Sequence, residues 1–165
     1  MASDCMKSNE NIYFRCRKEA ARYNDKLNSR EGAADLLGIS VSSLADYELG
    51  TTKVVPVDKV VLMADLYNAP ELLNHYCKHE CPIGCRMDIP TEVEPLENVT
   101  LKLLDLLHPE RIQLRMNILT HIAVDGKVSE EERDSMEEVT GYLNDVKNAV
   151  EKLSLYNKKY SKSAL

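Results

Sequence analysis

Apolar residues recur every three or four positions along most of the chain, which is the spacing of one face of an α-helix. Between residues 11 and 80 these stretches are short and are separated by turn signals, whereas two longer stretches follow between 96 and about 160. The intervening sequence CPIGCRMDIPTEVEP holds three prolines and one glycine, which is typical of a linker. The pattern therefore predicts an all-α protein with a domain at 11–80, a Pro-rich linker at 81–95 and an antiparallel helical hairpin at 96–160.

The predicted hairpin turns at the sequence VDGKVSEEE, where Ser129 and Glu132 have the spacing of a capping box. His108-Pro109 should break the first helical stretch. The second stretch carries apolar residues at alternating spacings of three and four, namely Met136, Val139, Leu143, Val146, Val150 and Leu153. Such a seam is used either within a hairpin or between two copies of a chain, and the two uses are compatible. We expect a homodimer held by this region.

The segment SREGAADLLGISVSSLADYELG, at positions 29–50, has the start and stop signals of two short helices joined by a tight turn. Ser29 and Ser40 can cap the two helices, and Gly38 and Gly50 can end them. The residues predicted to face inward are Ala33, Leu36 and Leu37 in the first helix and Leu44 and Tyr47 in the second, with the small Ala34 where the helices cross. Two short helices with a glycine in the turn form a helix-turn-helix.

Residues 12–73 resemble the phage Cro and repressor family, also called Xre-type regulators. The likeness includes the preceding helix (IYFRCRKEAARYNDKL), the second helix of the motif, and the helix that follows it, with Pro56, Val60, Met63, Ala64 and Tyr67. The resemblance implies a compact domain of about five helices that binds an operator in double-stranded DNA as a dimer.

By position in this family, the second helix would enter the major groove. The residues implied to face the bases are Val41, Ser42, Ser43 and Asp46. Arg30 would reach the DNA backbone or a flanking base, and Lys53 would meet a phosphate together with the first-helix cations Arg15, Arg17, Lys18 and Arg22. The second helix lacks Lys, Arg, Gln and Asn, which are the side chains that pair bidentately with guanine or adenine.

The charge of the chain disfavours broad nucleic-acid binding, because phosphate contacts need cations. The formal net charge is −6, and up to position 80 ten Lys and Arg stand against twelve Asp and Glu. Any DNA-binding face must therefore come from local clustering of cations. The same observation favours an alternative function, in which the helix-turn-helix scaffold binds or inhibits another protein and DNA binding is weak or lost.

The sequence HYCKHECPIGC brings His75, Cys77, His79, Cys81 and Cys85 into eleven positions. On a helix, Cys77 and Cys81 would share one face and His75 and His79 another, so one metal ion could not collect all four. We therefore expect no metal and no cofactor, and we interpret these cysteines mainly as small buried side chains. A redox or metal role for Cys77, Cys81 and Cys85 stays an alternative.

The sequence shows no nucleophilic residue with a base at the spacing of a known catalytic motif, and it shows no Gly-rich phosphate loop. We therefore do not expect an enzyme. The chain also lacks an apolar run of membrane-spanning length and a signal-peptide pattern, which predicts no membrane partner and a cytoplasmic location. The sequence thus predicts a DNA-binding transcriptional regulator, and promoter occlusion as a repressor is the favoured mode of action.

Overall fold

The computed structural model describes residues 11–161, and within this range the regular secondary structure is helical throughout. The prediction of an all-α chain is confirmed. The helices are α1 (Ile12–Ala20), α2 (Arg30–Leu37), α3 (Val41–Leu49), α4 (Val57–Leu66), α5 (Glu71–His79), α6 (Leu96–Leu106), α7 (Pro109–Ile122) and α8 (Arg133–Ser161), with 3₁₀ turns at Asp25–Asn28 and Gly84–Arg86.

The chain divides into two compact units. The first contains the described residues up to 91 together with 159–161, and the second contains residues 92–158. The core of the first unit is formed by one stripe of apolar side chains from each of α1 to α5, among them Tyr13, Ala34, Leu44, Met63 and Leu72. This core is aliphatic and tyrosine-rich, as expected for a sequence with one Phe and no Trp.

The buried face of α4 is formed by apolar residues that also take part in the family resemblance. Val60, Met63 and Ala64 are buried, and Tyr67, just beyond the helix, is buried as well. Pro56 stands at the N-cap of α4, where its missing N–H costs nothing because the first helical N–H groups have no intrahelical acceptor.

Gly32 lies where the first turn of α2 passes over the 3₁₀ turn Asp25–Asn28. A Cβ atom built on Gly32 would lie 2.2 Å from the carbonyl oxygen of Lys26. No side chain fits there without a backbone shift. Glycine is therefore required here, because the two backbone segments approach each other too closely for a side chain to fit between them. This requirement outweighs the low helix propensity of glycine.

The segment that follows α5 is held against that helix up to residue 91. Gly84 is buried, and a Cβ on it would lie 2.1 Å from the carbonyl oxygen of Cys77. The Asn74 side chain donates to the carbonyl of Pro90 at 2.7 Å, and Lys78 Nζ donates to that of Met87 at 2.9 Å. Much of the stretch predicted as a linker thus belongs to the first unit.

The second unit contains α6, α7 and most of α8. Its helices break at His108-Pro109 as predicted, since α6 ends at Leu106 and Pro109 is the first residue of α7. Between α7 and α8, Gly126 takes a positive φ of 70°, and the Ser129 N–H and hydroxyl both donate to Glu132. These hydrogen bonds lower the pKa of the Glu132 carboxyl.

The predicted seam of α8 is buried at some positions and exposed at others. Val139 is buried and Met136 and Val146 are half-buried. Leu143 is 43% exposed and Val150 is 50% exposed. The exposed members of the seam therefore form an apolar stripe that no residue within 11–161 covers fully.

Candidate nucleic-acid interface

Helices α2 and α3 begin and end at the residues that the sequence predicted. The Ser29 hydroxyl accepts from the Gly32 N–H at 3.0 Å, and the Ser40 hydroxyl accepts from the Ser43 N–H at 3.0 Å. Gly38 and Gly50 close the two helices in the left-handed conformation, with φ of 63° and 70°. Serine caps and left-handed glycines fix both helix lengths locally, before any packing.

The buried face of the two helices agrees with the prediction except at one position. Ala33, Ala34, Leu37, Leu44 and Tyr47 are buried in the core. Leu36, which was predicted to face inward, is instead 40% exposed, so that prediction is wrong. The reason is the position of Ala34: it takes the place in the helix crossing, and Leu36 lies two positions away on the opposite side of α2.

The residues predicted to face DNA bases lie along the outer side of α3. Val41, Ser42 and Asp46 are exposed, and Ser43 is half-buried. Ser42 and Ser43 are brought together at the start of the helix, because their hydroxyls lie 3.0 Å and 2.8 Å from the hydroxyl of Ser40. This serine cluster, Ser40, Ser42 and Ser43, offers hydroxyl donors and acceptors but no cation.

Asp46 is engaged with the loop that follows α3. Its carboxylate accepts from the Thr51 hydroxyl at 2.9 Å, and its carbonyl accepts from the Thr51 N–H at 3.1 Å. Asp46 thereby helps to fix the conformation of the loop that leads to α4. Its exposed carboxylate also remains a hydrogen-bond acceptor at the surface. Lys53 lies in the same loop and is exposed.

Arg17 is buried, which contradicts its predicted role as a phosphate contact. Its side chain is 2% exposed and pairs with Glu48, which is 0% exposed, at 2.5 Å and 2.9 Å. The guanidinium also donates to the carbonyls of Leu27 and Asn28. Arg17 lies on the inward stripe of α1 together with Tyr13, Cys16 and Ala20, and that position removes it from any outer surface.

Arg30 is attached to the same carboxylate. Its Nε donates to Glu48 at 2.7 Å, and its side chain remains 32% exposed. The buried Glu48 carboxylate thus receives two guanidinium groups, one from α1 and one from the start of α2. The sequence carried a signal for this pairing, because Glu48 follows Leu44 by four positions and so lies on the inward stripe of α3.

Several apolar side chains of α3, of the loop after it and of the start of α4 are exposed, a feature that sequence reasoning missed. Leu49 at the end of α3 is 41% exposed, and Val54 and Val57 around Pro56 are 46% and 57% exposed. We call these three residues and the exposed Val41 the valine-leucine patch. The exposed surface of α3 and of the loop after it therefore carries one cation, Lys53, and several apolar groups among its described residues.

The histidines of the histidine and cysteine cluster lie together on α5. The rings of His75 and His79 are tilted by 42° with centroids 4.4 Å apart, and the ring of Tyr13 meets His75 edge-on. Cys77 and Cys81 are half-buried, Cys85 is exposed, and none of them is in a disulfide bond with another described cysteine. No group of three His, Cys, Asp or Glu within residues 11–161 could hold a metal ion. Cys5 lies outside the described residues.

Comparisons of the chain with protein-family models, with curated proteins and with solved structures gave no match. Within residues 11–161, no helix combines the length and the apolar character that crossing a membrane requires.

Proposed function

We propose that this chain is a sequence-specific DNA-binding transcriptional regulator that acts as a repressor by occluding a promoter. The observation that carries the proposal is the pair α2 and α3: two capped helices joined by a tight glycine turn, with Val41, Ser42 and Asp46 directed outward from the second. A helix presented in this way has the dimensions to enter the major groove.

The charged side chains near α3 support weak binding to the phosphates of DNA. Lys53 is exposed, and Arg30 uses Nε for Glu48, so its terminal N–H groups remain able to donate to a phosphate. Each neutralised phosphate contributes roughly 0.9 to the logarithmic dependence of affinity on salt. A regulator with so few cations at its interface would bind DNA with a shallow salt dependence and would rely on dimerisation for affinity.

The test begins with enrichment of genomic fragments at low salt, followed by fluorescence anisotropy with an enriched and a scrambled fragment. Lys53→Ala should weaken binding to both fragments and lower the salt slope by about 0.9. Lys127→Ala is the matched control, because Lys127 is an exposed lysine in the second unit. Failure of the wild-type protein to bind either fragment below micromolar concentrations would refute the proposal.

Asp46→Asn tests whether Asp46 discriminates between bases. The substitution should reduce the difference in binding free energy between the preferred base and the other bases by about 1–3 kcal/mol at one base pair. Because Asp46 also holds Thr51, the control is Thr51→Val, which removes that hydrogen bond and keeps the carboxylate. A loss of discrimination in Asp46→Asn alone supports a direct contact with a base. Equal losses in both variants would assign the effect to the course of the loop.

The second candidate function is binding of another protein, and the valine-leucine patch favours it. Apolar side chains are typical of the centre of a protein interface, whereas DNA interfaces are strongly positive. Replacing Val57 by a photocrosslinking residue should capture a discrete partner in cells if this function is correct. Val124, which is 82% exposed in the second unit, provides the matched control position.

A further inference from the structure

Two cysteines are joined by a single backbone turn directly after α5. The N–H of Cys85 donates to the carbonyl oxygen of Cys81 at 3.0 Å, and this hydrogen bond closes one turn of α-helical dimensions. In such a turn the two Cα atoms lie about 6 Å apart, which is within the range found for disulfide-bonded cysteines. The backbone therefore brings the two residues to a separation that a disulfide bond can span, and both are free thiols.

The two thiols make opposite kinds of hydrogen bond within this turn. The sulfur of Cys81 accepts from the Gly84 N–H at 3.5 Å. The thiol of Cys85 instead donates to the carbonyl oxygen of Pro82 at 3.2 Å. A donor directed at a sulfur stabilises negative charge on it, and the thiolate is the reactive form of cysteine. Since Cys81 is half-buried and Cys85 is exposed, a small oxidant can reach the pair, with Cys81 favoured as the nucleophile.

The turn is packed closely against the backbone of α5. Gly84 is buried inside the turn, and a Cβ atom on it would lie 2.1 Å from the carbonyl oxygen of Cys77. Only glycine fits at this position, so the fit of the turn on the helix is defined by backbone atoms. Cys81 and Cys85 are therefore kept close together by packing as well as by their short separation in the sequence.

The residue before Cys81 connects this turn to two other parts of the first unit. One oxygen of the Glu80 carboxylate accepts from the Tyr13 hydroxyl of α1 at 2.6 Å. The other oxygen accepts from the backbone N–H of Val55, in the loop between α3 and α4, at 2.7 Å. That loop also carries the exposed Lys53. A movement of Cys81 thus acts on the α3–α4 loop through one peptide bond and one carboxylate.

We propose that Cys81 and Cys85 form a reversible disulfide bond in response to a hydroperoxide, and that this bond loosens the loop between α3 and α4. The sulfur of Cys81 attacks one peroxide oxygen and the O–O bond breaks, which gives a sulfenic acid and an alcohol or water. The thiol of Cys85 then attacks the sulfenic sulfur, the S–O bond breaks, and hydroxide leaves with the thiol proton as water. Two thiols are thereby oxidised and one peroxide is reduced.

Closure of the bond requires the turn to tighten. Side chains four positions apart on a helical turn have Cβ atoms about 5–6 Å apart, whereas a disulfide needs about 3.5–4.5 Å. Because Gly84 is already packed against α5, the shift falls on Cys81 and on the adjoining Glu80. A disulfide formed under such strain is readily reduced, as regulatory disulfides are. The bond and its effect on the loop lie within the first unit and do not depend on whether the chain binds DNA.

Tryptic mapping tests the disulfide directly. Cleavage after Lys78 and Arg86 releases residues 79–86 as one peptide, which holds the pair and no other cysteine. The reduced full chain is treated with hydrogen peroxide, and the remaining thiols are blocked with iodoacetamide before digestion. The peptide should escape alkylation and lose two hydrogen atoms, and dithiothreitol should restore both alkylation sites. A peptide that stays alkylated at both cysteines, or that is joined to the peptide of Cys77, would overturn the proposal.

Single substitutions locate the chemistry within the pair. Cys77→Ser is the matched control, because Cys77 is a nearby half-buried thiol outside the turn, and it should form the disulfide at the wild-type rate. Cys85→Ser should accumulate a sulfenic acid on Cys81, which dimedone traps. A Cys85→Ser chain in which dimedone does not label Cys81 would refute its assignment as the nucleophile.

Hydrogen exchange of backbone amides tests the effect on the loop. The Val55 N–H should exchange at least about tenfold faster in the oxidised chain than in the reduced chain, because the shift of Glu80 withdraws its acceptor. The Ala33 N–H, which donates to the Ser29 carbonyl at 3.3 Å in α2, is the control and should exchange equally in both states. Equal rates at Val55 would overturn the coupling to the loop. Both measurements are made without DNA, so their outcome is separate from that of the proposed function.

Discussion

The carboxylate of Glu48 joins three helices of the first unit. It receives Arg17 from α1 and Arg30 from the first residue of α2, and it is itself part of α3. Burial of an ion pair costs desolvation energy, which the mutual attraction and additional hydrogen bonds must offset. Arg17 meets this condition with its donors to Leu27 and Asn28. The network fixes the rotation of α3 and hence which residues face outward.

Removal of this carboxylate should destabilise the first unit strongly. Glu48→Gln leaves two guanidinium groups facing a neutral amide, one of them fully buried, and should lower the free energy of unfolding by about 3–5 kcal/mol. Urea denaturation followed by circular dichroism measures the change. Glu31→Gln, at an exposed position in the first turn of α2, is the control and should cost less than about 1 kcal/mol. Equal effects of the two substitutions would show that the buried pair contributes nothing specific.

His75 makes the stability of the first unit dependent on pH. Burial, together with the neighbouring charges of His79 and Arg15, lowers its pKa from 6.5 to about 4. The folded state thus disfavours the proton that the unfolded chain binds near pH 6.5. The contribution of His75 to stability is therefore fully present above about pH 6.5 and is lost as the pH falls from 6.5 to about 4.

His75→Gln should flatten the decline of the melting temperature between pH 6.5 and 4, because the side chain no longer gains a proton on unfolding. The measurement is a series of thermal melts across this range for the wild type and the variant. His108→Gln is the control, since His108 is exposed at the start of α7. If the His75→Gln profile overlays that of the wild type, the acid sensitivity arises from other groups.

At the scale of elements, the sequence was most informative where structure is decided locally. Helix boundaries at Ser29, Gly38, Ser40 and Gly50 follow from hydrogen bonds within a few residues and from the conformational freedom of glycine. The break at Pro109 has the same origin, because proline cannot continue the preceding helix. Such features depend on immediate neighbours, so a single sequence suffices to predict them.

The features that sequence reasoning missed depend on contacts between distant residues. The pairing of Arg17 with Glu48 joins positions 31 residues apart, and it converted a predicted phosphate contact into part of the core. The requirement for glycine at position 32 was missed as well, because the approach of the Lys26 carbonyl is a property of the folded backbone. The roles of Val41, Ser42, Ser43 and Asp46 at DNA stay predictions, since neither their exposure nor their hydrogen bonds identify a ligand.

Gly32→Ala should destabilise the first unit although alanine is the better helix former. The new Cβ would lie 2.2 Å from the Lys26 carbonyl oxygen, and the shift needed to relieve this overlap should cost about 1–3 kcal/mol. Urea denaturation of the variant measures the cost. The matched substitution is Gly141→Ala, which has open space around its Cβ and should stabilise. A gain of stability in Gly32→Ala would show that α2 can move away from the 3₁₀ turn at little cost.

At the scale of the whole molecule, the second unit leaves a row of apolar side chains of α8 exposed to solvent. In the second unit, Leu143 and Val150 lie seven positions apart on one side of α8, and Leu153 continues the stripe. A repeat of seven residues is the spacing at which a helix pairs along its length with another helix. We infer that a second copy of the chain covers this stripe, which would also supply the two-fold symmetry that paired operator half-sites require.

Leu143→Gln combined with Val150→Gln should convert the protein from a dimer to a monomer. Complete burial of a Leu or Val side chain contributes about 1.5–3 kcal/mol, and in a two-fold interface each substitution acts twice. Light scattering after size exclusion, over a range of protein concentrations, measures the mass, and circular dichroism verifies that the helices are retained. Leu101→Gln combined with Leu104→Gln is the control, because both residues are 66% exposed on α6, away from the stripe. A wild-type protein that is monomeric at every concentration would disprove the inferred dimer, and dissociation by the control substitutions alone would place the interface on α6 instead of α8.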